Sequence, residues 1–194
     1  MNKKVILISI DGMRPDGLKN CSSEAVEFLK SKASYTFNAK TVYPSITLPC
    51  HMSLFYGVEP MRHGIISNTY VPQVHQIKGL FEKVNALGGT SAIFYGWEPM
   101  RDVAPAGTCK YATYINAYTE ESVDTLLTDC ALRLIEEKKP DFVYLYHIPA
   151  AISAANTFES DLIRRGYPNR ILQYIFHQDT LPSFRVRSSV GTSW

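Results

Sequence analysis

The sequence predicts an α/β fold in which a mainly parallel sheet lies between layers of helices. Three short runs of branched and aromatic residues, typical of buried parallel strands, alternate along the chain with longer segments that are apolar on one helical face. Such alternation favours one layered domain with right-handed crossovers between strands. At 194 residues, 45% of them hydrophobic, the chain is long enough to bury the core of one such domain.

Continuous apolar runs define the strands, and the spacing of apolar residues defines the helices. The strands are predicted over residues 5–10, 91–95 and 142–146. The helices between them are predicted over residues 23–32, 79–87 and 122–137. Gly88 and Gly89 follow the second helix, and Pro140 follows the third, which are typical stop signals.

One more helix is predicted within the segment YPSITLPCHMSLFYG, residues 43–57. Pro49 suits the first turn of a helix, apolar residues follow it, and Gly57 is a typical stop. Because ligands of parallel sheets gather beyond the carboxyl ends of the strands, this helix should begin close to Asp11, which follows the first strand.

Charge and composition exclude several classes of protein. The formal net charge is +2, with no basic or acidic run, so neither a nucleic-acid polymer nor an anionic membrane surface is an expected partner. No stretch approaches the roughly 18 apolar residues of a membrane span, and the N-terminal residues do not resemble a secretory signal. We therefore expect a cytoplasmic protein. The sequence does not indicate its oligomeric state.

The four cysteines are far apart and form no C-x-x-C pair, which argues against a disulfide framework or a structural zinc site. Cys50 lies close to Thr47 but is expected to be a small packing residue. Reduced, mostly structural thiols are therefore predicted.

Asp11 and Thr47 are the first candidates for a site, and each has a plain structural alternative. A carboxylate at the end of a buried strand, followed by glycine, can hold a divalent cation; taken alone, however, it more commonly caps a loop. A threonine at a helix N-terminus meets free N–H groups that favour an anionic oxygen or a phosphate. Taken alone, Thr47 is better explained as a helix cap.

Four motifs in order carry a resemblance to a known family. ILISIDGMRPD contains Asp11 and Gly12; Thr47 to His51 reads Thr-x-Pro-x-His; Gly57 to Ile65 reads Gly-x-x-Pro-x-x-His-Gly-Ile; and Asn68 follows shortly after. This combination resembles the nucleotide pyrophosphatase/phosphodiesterase branch of the alkaline phosphatase superfamily. The resemblance implies a three-layer α/β/α sandwich of the alkaline phosphatase type.

The resemblance also implies a two-zinc site that hydrolyses phosphodiester or phosphomonoester bonds of a small substrate. Carried over to this chain, Asp11 and Thr47 would be ligands of one zinc ion, and Thr47 would attack phosphorus to form a phosphothreonine. Asn68 would hold a phosphoryl oxygen. Sulfatases of the same superfamily need a Cys/Ser-x-Pro-x-Arg segment, which is absent here. His51 and His63 are not assigned to the metal; in the family pattern they support the nucleophile helix and the turn after it.

The pattern breaks after residue 146. The resemblance places two more zinc ligands near positions 151 and 155, where the chain has Ala151 and Ala155, and the later His177 and Asp179 stand in the wrong order. Residues 1–146 contain 11 lysines and 4 arginines, whereas residues 147–194 contain no lysine and 5 arginines. We expect 1–146 to be the N-terminal portion of the domain and 147–194 to be an atypical tail, frameshifted or disordered.

Two further interpretations stay open. The chain could be a catalytically inactive fragment that lacks most zinc ligands, or a relative that acts on phosphonates or phosphoglycerates. Four aromatic residues are candidates for a leaving-group pocket, although core or loop positions explain them as well. They are Tyr70, Tyr95, Trp97 and Tyr114, and Trp97 with Glu98 is the best placed because it follows a predicted strand.

Overall fold

A computed structural model of the chain describes residues 4–20, 23–148 and 171–176. In chain order its strands are β1 (Val5–Ile10), β2 (Ser91–Tyr95), β3 (Tyr111–Tyr114), β4 (Phe142–His147) and β5 (Ile171–Phe176). Its α-helices are α1 (Pro15–Lys19), α2 (Glu24–Lys32), α3 (Thr47–Tyr56), α4 (Pro60–His63), α5 (Leu80–Ala86) and α6 (Val123–Lys138). A 3-10 helix, Glu98–Val103, follows β2.

The strands form one sheet in the order β3-β2-β4-β1-β5, and every neighbouring pair is parallel. This confirms the predicted α/β class. The bounds of β1 and β2 agree with the prediction, and β4 is one residue longer than predicted. The sequence-based prediction missed β3, α1 and α4, which have four or five residues each. It also missed the 3-10 helix and β5, although β5 is as long as β1.

Alternation of side chains along the strands divides the core into two layers. Even-numbered residues of β1 and odd-numbered residues of β4 face α6, whose apolar residues Leu127, Ala131 and Ile135 cover them. On the opposite face, Leu7, Tyr144 and Tyr146 pack with residues of α3 and α5. Helices therefore cover both faces of the sheet, which confirms the three-layer prediction.

Aromatic rings fill much of the layer beneath α3. Phe55 stacks on Phe81 of α5 with ring centroids 5.3 Å apart, and it meets Tyr144 edge to face at 4.7 Å. Both phenylalanines are buried. This packing fixes α3 against the sheet and so fixes the position of its first residue, Thr47.

Within the described residues, no helix is long and apolar enough to cross a membrane. The predicted tail, 147–194, lies largely outside the described residues. Its backbone is described at residues 147–148 and in β5, which pairs with β1. The division of the chain near residue 147 stays a prediction.

Candidate active site

Asp11 lies at the carboxyl end of β1, and the alternation of that strand turns it toward α3. Leu7 and Ser9 precede it on the same face. The Asp11 N–H donates to the carbonyl oxygen of His147 at 3.0 Å, which joins the ends of β1 and β4. Gly12 then adopts φ 68°, and its N–H donates to Asp11 Oδ1 at 2.9 Å. The positive φ turns the backbone away and suits glycine.

Thr47 is the first residue of α3, and Pro49 lies in its first turn as predicted. The residue before the helix is Ile46, which is extended and makes no side-chain capping bond. The Thr47 hydroxyl instead donates to Asp11 Oδ2 at 3.2 Å. The explanation of Thr47 as a simple helix cap is therefore wrong. The structure brings together the two residues that the sequence placed at this edge.

Asn68 is exposed and lies beside the N-terminus of α3. Its Oδ1 accepts a hydrogen bond from the Leu48 N–H at 2.9 Å. Because that contact uses the amide oxygen, the Nδ2 group is the part of the side chain left to donate to an oxygen atom of a ligand. Asp11 and Thr47 are half-buried, so the three side chains form a small polar site that is open to solvent.

His51 ties the start of α3 to β1. Its Nδ1 lies 2.7 Å from the carbonyl oxygen of Thr47, and its Nε2 lies 2.9 Å from Ser9 Oγ. A carbonyl can only accept, so Nδ1 carries the proton and Nε2 accepts from the serine hydroxyl. His51 is buried and fully used in holding Thr47, in agreement with the supporting role that the family pattern implies.

His63 plays the same part at the turn that follows α3. The Ile65 N–H donates to its Nδ1 at 3.1 Å, so the proton lies on Nε2, which is 3.0 Å from Ser53 Oγ. Burial lowers the pKa of His63, which favours the neutral ring. Both contacts belong to the support of α3 rather than to a ligand.

Tyr146 is the residue of this site that the sequence interpretation missed. Its hydroxyl donates to Asp11 Oδ2 at 2.7 Å, and the residue is 2% exposed. Burial, and then the charge of Asp11, raise the pKa of Tyr146 well above its ordinary value, so the phenol remains a donor. The alternation of FVYLYH was the available signal, since it places Tyr144 and Tyr146 on one face of β4.

The other candidates have structural surroundings. The Thr41 hydroxyl donates to Cys50 Sγ at 2.7 Å, which agrees with a packing role for this cysteine. Tyr95 is buried and stacks on the partly exposed Tyr114 with centroids 5.3 Å apart. Trp97 is half-buried against the core beneath α3.

The fourth aromatic candidate, Tyr70, and Glu98, which was named with Trp97, are at the surface. Tyr70 is partly exposed, and Glu98 is ion-paired with Arg101. A pocket formed by these aromatic residues stays a prediction.

The donors at this edge do not complete a zinc site. Asp11 and Thr47 offer oxygen atoms, whereas a catalytic zinc ion usually has three protein ligands. Among the described residues, no group of three or more His, Cys, Asp or Glu side chains is arranged to hold a metal ion. The positions of the other expected ligands, Ala151 and Ala155, lie outside the described residues, and alanine has no ligating group. His177 and Asp179 also lie outside them.

Curated relatives share part of this sequence. Ectonucleotide pyrophosphatase/phosphodiesterase family member 1 from Mus musculus is 31% identical over 129 residues, which cover 64% of this chain and 14% of the relative. Family member 3 from Rattus norvegicus is 30% identical over 164 residues, covering 73% of this chain and 18% of the relative. The chain thus spans less than a fifth of the length of these relatives.

Solved structures share the fold. Murine ectonucleotide pyrophosphatase/phosphodiesterase 5, an inactive variant in complex with AMP, matches with a TM-score of 0.72 and 17% identity, over 90% of this chain and 56% of that one. Phosphonoacetate hydrolase from Sinorhizobium meliloti, in complex with phosphonoacetate, matches with a TM-score of 0.65 and 17% identity, over 88% of this chain and 55% of that one. The sequence model of the type I phosphodiesterase/nucleotide pyrophosphatase family matches residues 5–149. The chain therefore belongs to the type I phosphodiesterase/nucleotide pyrophosphatase family.

Proposed function

We propose that this chain carries the nucleophile half of a hydrolase of phosphodiester or pyrophosphate bonds, with Thr47 as the nucleophile. The observation that carries the proposal is the contact of the Thr47 hydroxyl with Asp11 Oδ2 at 3.2 Å, at the N-terminus of α3. The family supports the reaction class, and the proposed substrate is a small phosphate ester.

The residues of the chain divide the reaction between them. A threonine hydroxyl is a weak nucleophile and needs help in losing its proton. Its proton points at Asp11 Oδ2, so this carboxylate is placed to accept it as the Oγ–P bond forms and the leaving group departs with its electron pair. Asn68 Nδ2 and the N-terminus of α3 are placed to stabilise a phosphoryl oxygen. Water then hydrolyses the proposed phosphothreonine.

One similar structure supports this role for threonine. The murine protein solved with AMP is an inactive variant in which a threonine is replaced by alanine. Phosphoryl transfer leaves the protein chiefly positioning and charge stabilisation to supply, and the contacts among Asp11, Thr47 and Asn68 suit that task.

A metal requirement is part of the proposal only as the family resemblance implies it. Asp11 and Thr47 would contact one zinc ion, but they are too few to hold a pair, and Ala151 and Ala155 stand where two more ligands are implied. This shortage favours the second candidate, a catalytically inactive fragment. An inactive fragment of this kind would bind substrate without turning it over.

The test is turnover of bis(4-nitrophenyl) phosphate by the native chain and by Thr47→Ala, with zinc added over a range of concentrations. Loss of the nucleophile should lower kcat at least about 1,000-fold. Thr47→Ser keeps a hydroxyl and should retain part of the rate. Thr41→Ala is the matched control, because it removes a half-buried hydroxyl that donates to Cys50. Equal rates for native chain and Thr47→Ala would contradict the proposed nucleophile.

The phosphonate interpretation is tested in the same assay. Phosphonoacetate hydrolase shares the fold of this chain, and phosphonoacetate is the corresponding probe. Release of inorganic phosphate from phosphonoacetate, without turnover of the diester, would favour this second substrate class.

A further inference from the structure

Tyr146 contacts the carboxylate of Asp11 from beneath, within the sheet. We propose that Tyr146 is a positioning residue, which holds the Asp11 carboxylate through its phenol O–H so that Oδ2 faces the Thr47 hydroxyl. The inference rests on the proposed role of Thr47 and adds a residue that lies outside the four motifs. It concerns the placement of the nucleophile rather than contact with substrate.

Asp11 accepts hydrogen bonds from three directions. The Gly12 N–H lies 2.9 Å from Oδ1, and two hydroxyls share Oδ2, that of Tyr146 at 2.7 Å and that of Thr47 at 3.2 Å. The tyrosine bond is the shorter of the two on Oδ2. A short hydrogen bond to an ionised carboxylate is stronger than a neutral one, so the phenol is the firmer of these two constraints.

The surroundings of the two residues differ in rigidity. Tyr146 belongs to β4, and its ring meets His51 edge to face with centroids 5.3 Å apart. Asp11 is half-buried and is followed directly by Gly12 at the edge of the sheet. A buried ring on a paired strand therefore offers a fixed point, and the carboxylate beside a turn is the group that takes its orientation from it.

The same tyrosine is linked to Thr47 by a second route. His51 packs against the Tyr146 ring and lies 2.7 Å from the Thr47 carbonyl oxygen. The ring therefore supports the backbone of Thr47. The phenol oxygen orients the Asp11 carboxylate, which accepts from the Thr47 hydroxyl. Removing only the oxygen atom leaves the first contact in place and breaks the second.

Tyr146→Phe makes this change, and Tyr56→Phe is the matched control. Tyr56 is buried and is the last residue of α3, at the opposite end of that helix from Thr47. Both variants lose one buried hydroxyl. Only the first loses a bond to Asp11.

The primary measurement is the three-bond Hα–Hβ coupling and the methyl chemical shift of Thr47 in isotope-labelled chains. In Tyr146→Phe both should move away from the native values, because the carboxylate that accepts from the Thr47 hydroxyl loses its shorter bond on Oδ2. In Tyr56→Phe both should stay. Native values in Tyr146→Phe, or equal changes in the two variants, would overturn the proposal. Neither result depends on turnover, so the outcome is separate from that of the Thr47→Ala assay.

Kinetics supply the second measurement. With the diester substrate, Tyr146→Phe should lower kcat about 10- to 100-fold and leave KM within about twofold, because it removes a residue that orients a group of the site without touching substrate. If Tyr146→Phe does not fold, a measurement on the native chain tests the proposal instead. A nuclear Overhauser effect between the Tyr146 hydroxyl proton and the Asp11 β-protons is expected, and its absence would overturn the proposal.

Discussion

The two faces of the sheet each bury a histidine near the carboxyl ends of β1 and β4, but the two histidines are held differently. His51, on the α3 face, has well-directed partners at both ring nitrogens. His147, on the α6 face, has Nδ1 3.0 Å from Asp124 Oδ1, yet among the described residues neither Nδ1 nor Asp124 Oδ2 has a well-aligned hydrogen bond. The face that carries the candidate site is thus the one with the more completely satisfied polar groups.

The difference shows that the two faces of the same alternating strands use their polar residues in different ways. On the α3 face, Ser9, Asp11 and Tyr146 are the polar ends of an aromatic layer, and they reach Thr47 directly or through His51. On the α6 face, Asp124 accepts from the Ile148 N–H and closes the end of β4. One face positions the proposed nucleophile, while the other anchors a strand.

The largest effect is expected from a substitution in the α3 layer, the core residues between α3, α5 and the sheet that include Phe55, Phe81 and Tyr144. Phe55→Ala removes a ring that stacks on Phe81 and meets Tyr144, and it should lower the free energy of unfolding by about 3–5 kcal/mol. Urea unfolding measures the change. Leu127→Ala is the counterpart on the α6 face, where the smaller side chain should cost about 2–5 kcal/mol. A loss below about 1 kcal/mol for Phe55→Ala would show that α3 is not held by this layer.

The next effect concerns the anchoring contact on the α6 face. Asp124→Ala removes the acceptor of the Ile148 N–H and the carboxylate beside the buried His147, and it should cost about 1–3 kcal/mol. Asp16→Ala, which removes an exposed partner of Arg14, is the control and should leave the urea midpoint unchanged. If the two variants behave alike, the buried pair contributes nothing to the anchoring of β4.

Much of the fold could be predicted from the sequence, because β1 and β2 are continuous apolar runs and the longer helices have clear faces. Asp11 and Thr47 could be brought together because the carboxyl ends of parallel strands share an edge. The start of α3 was harder to place, since Pro49 fits the first turn whether the helix begins at Thr47 or later. The contact of Tyr146 with Asp11 could not be predicted, because the two residues lie 135 positions apart in the chain.

A smaller expected effect is a pH dependence of stability that arises from His63, which supports α3. His63 is buried with its pKa lowered, so its ring stays neutral in the folded chain while the unfolded chain takes up a proton below about pH 6.5. The unfolded state then binds more protons, and stability falls as the pH falls through that value. Protonated Nδ1 would also lose its bond from the Ile65 N–H.

The pH effect is measured by urea unfolding at pH 7.5 and pH 5 for the native chain, His63→Gln and His75→Gln. The loss of stability between the two pH values should be smaller in His63→Gln than in the native chain. His75 is exposed, and its replacement should leave the native difference in place. An identical pH response in all three chains would contradict a neutral, buried His63.

The smallest expected effect compares how the two layers begin their helices. In the α3 layer, the Gly79 N–H donates to Glu82 Oε2 at 2.6 Å, which satisfies one of the free N–H groups at the start of α5. In the other layer, Ser122 precedes α6 without a side-chain capping bond. Glu82→Ala should therefore cost about 0.5–1 kcal/mol in urea unfolding, and Ser122→Ala less than that. Equal losses would mean that the Glu82 contact adds no more than the loop before α6 does, and that the two layers do not differ in how they start their helices.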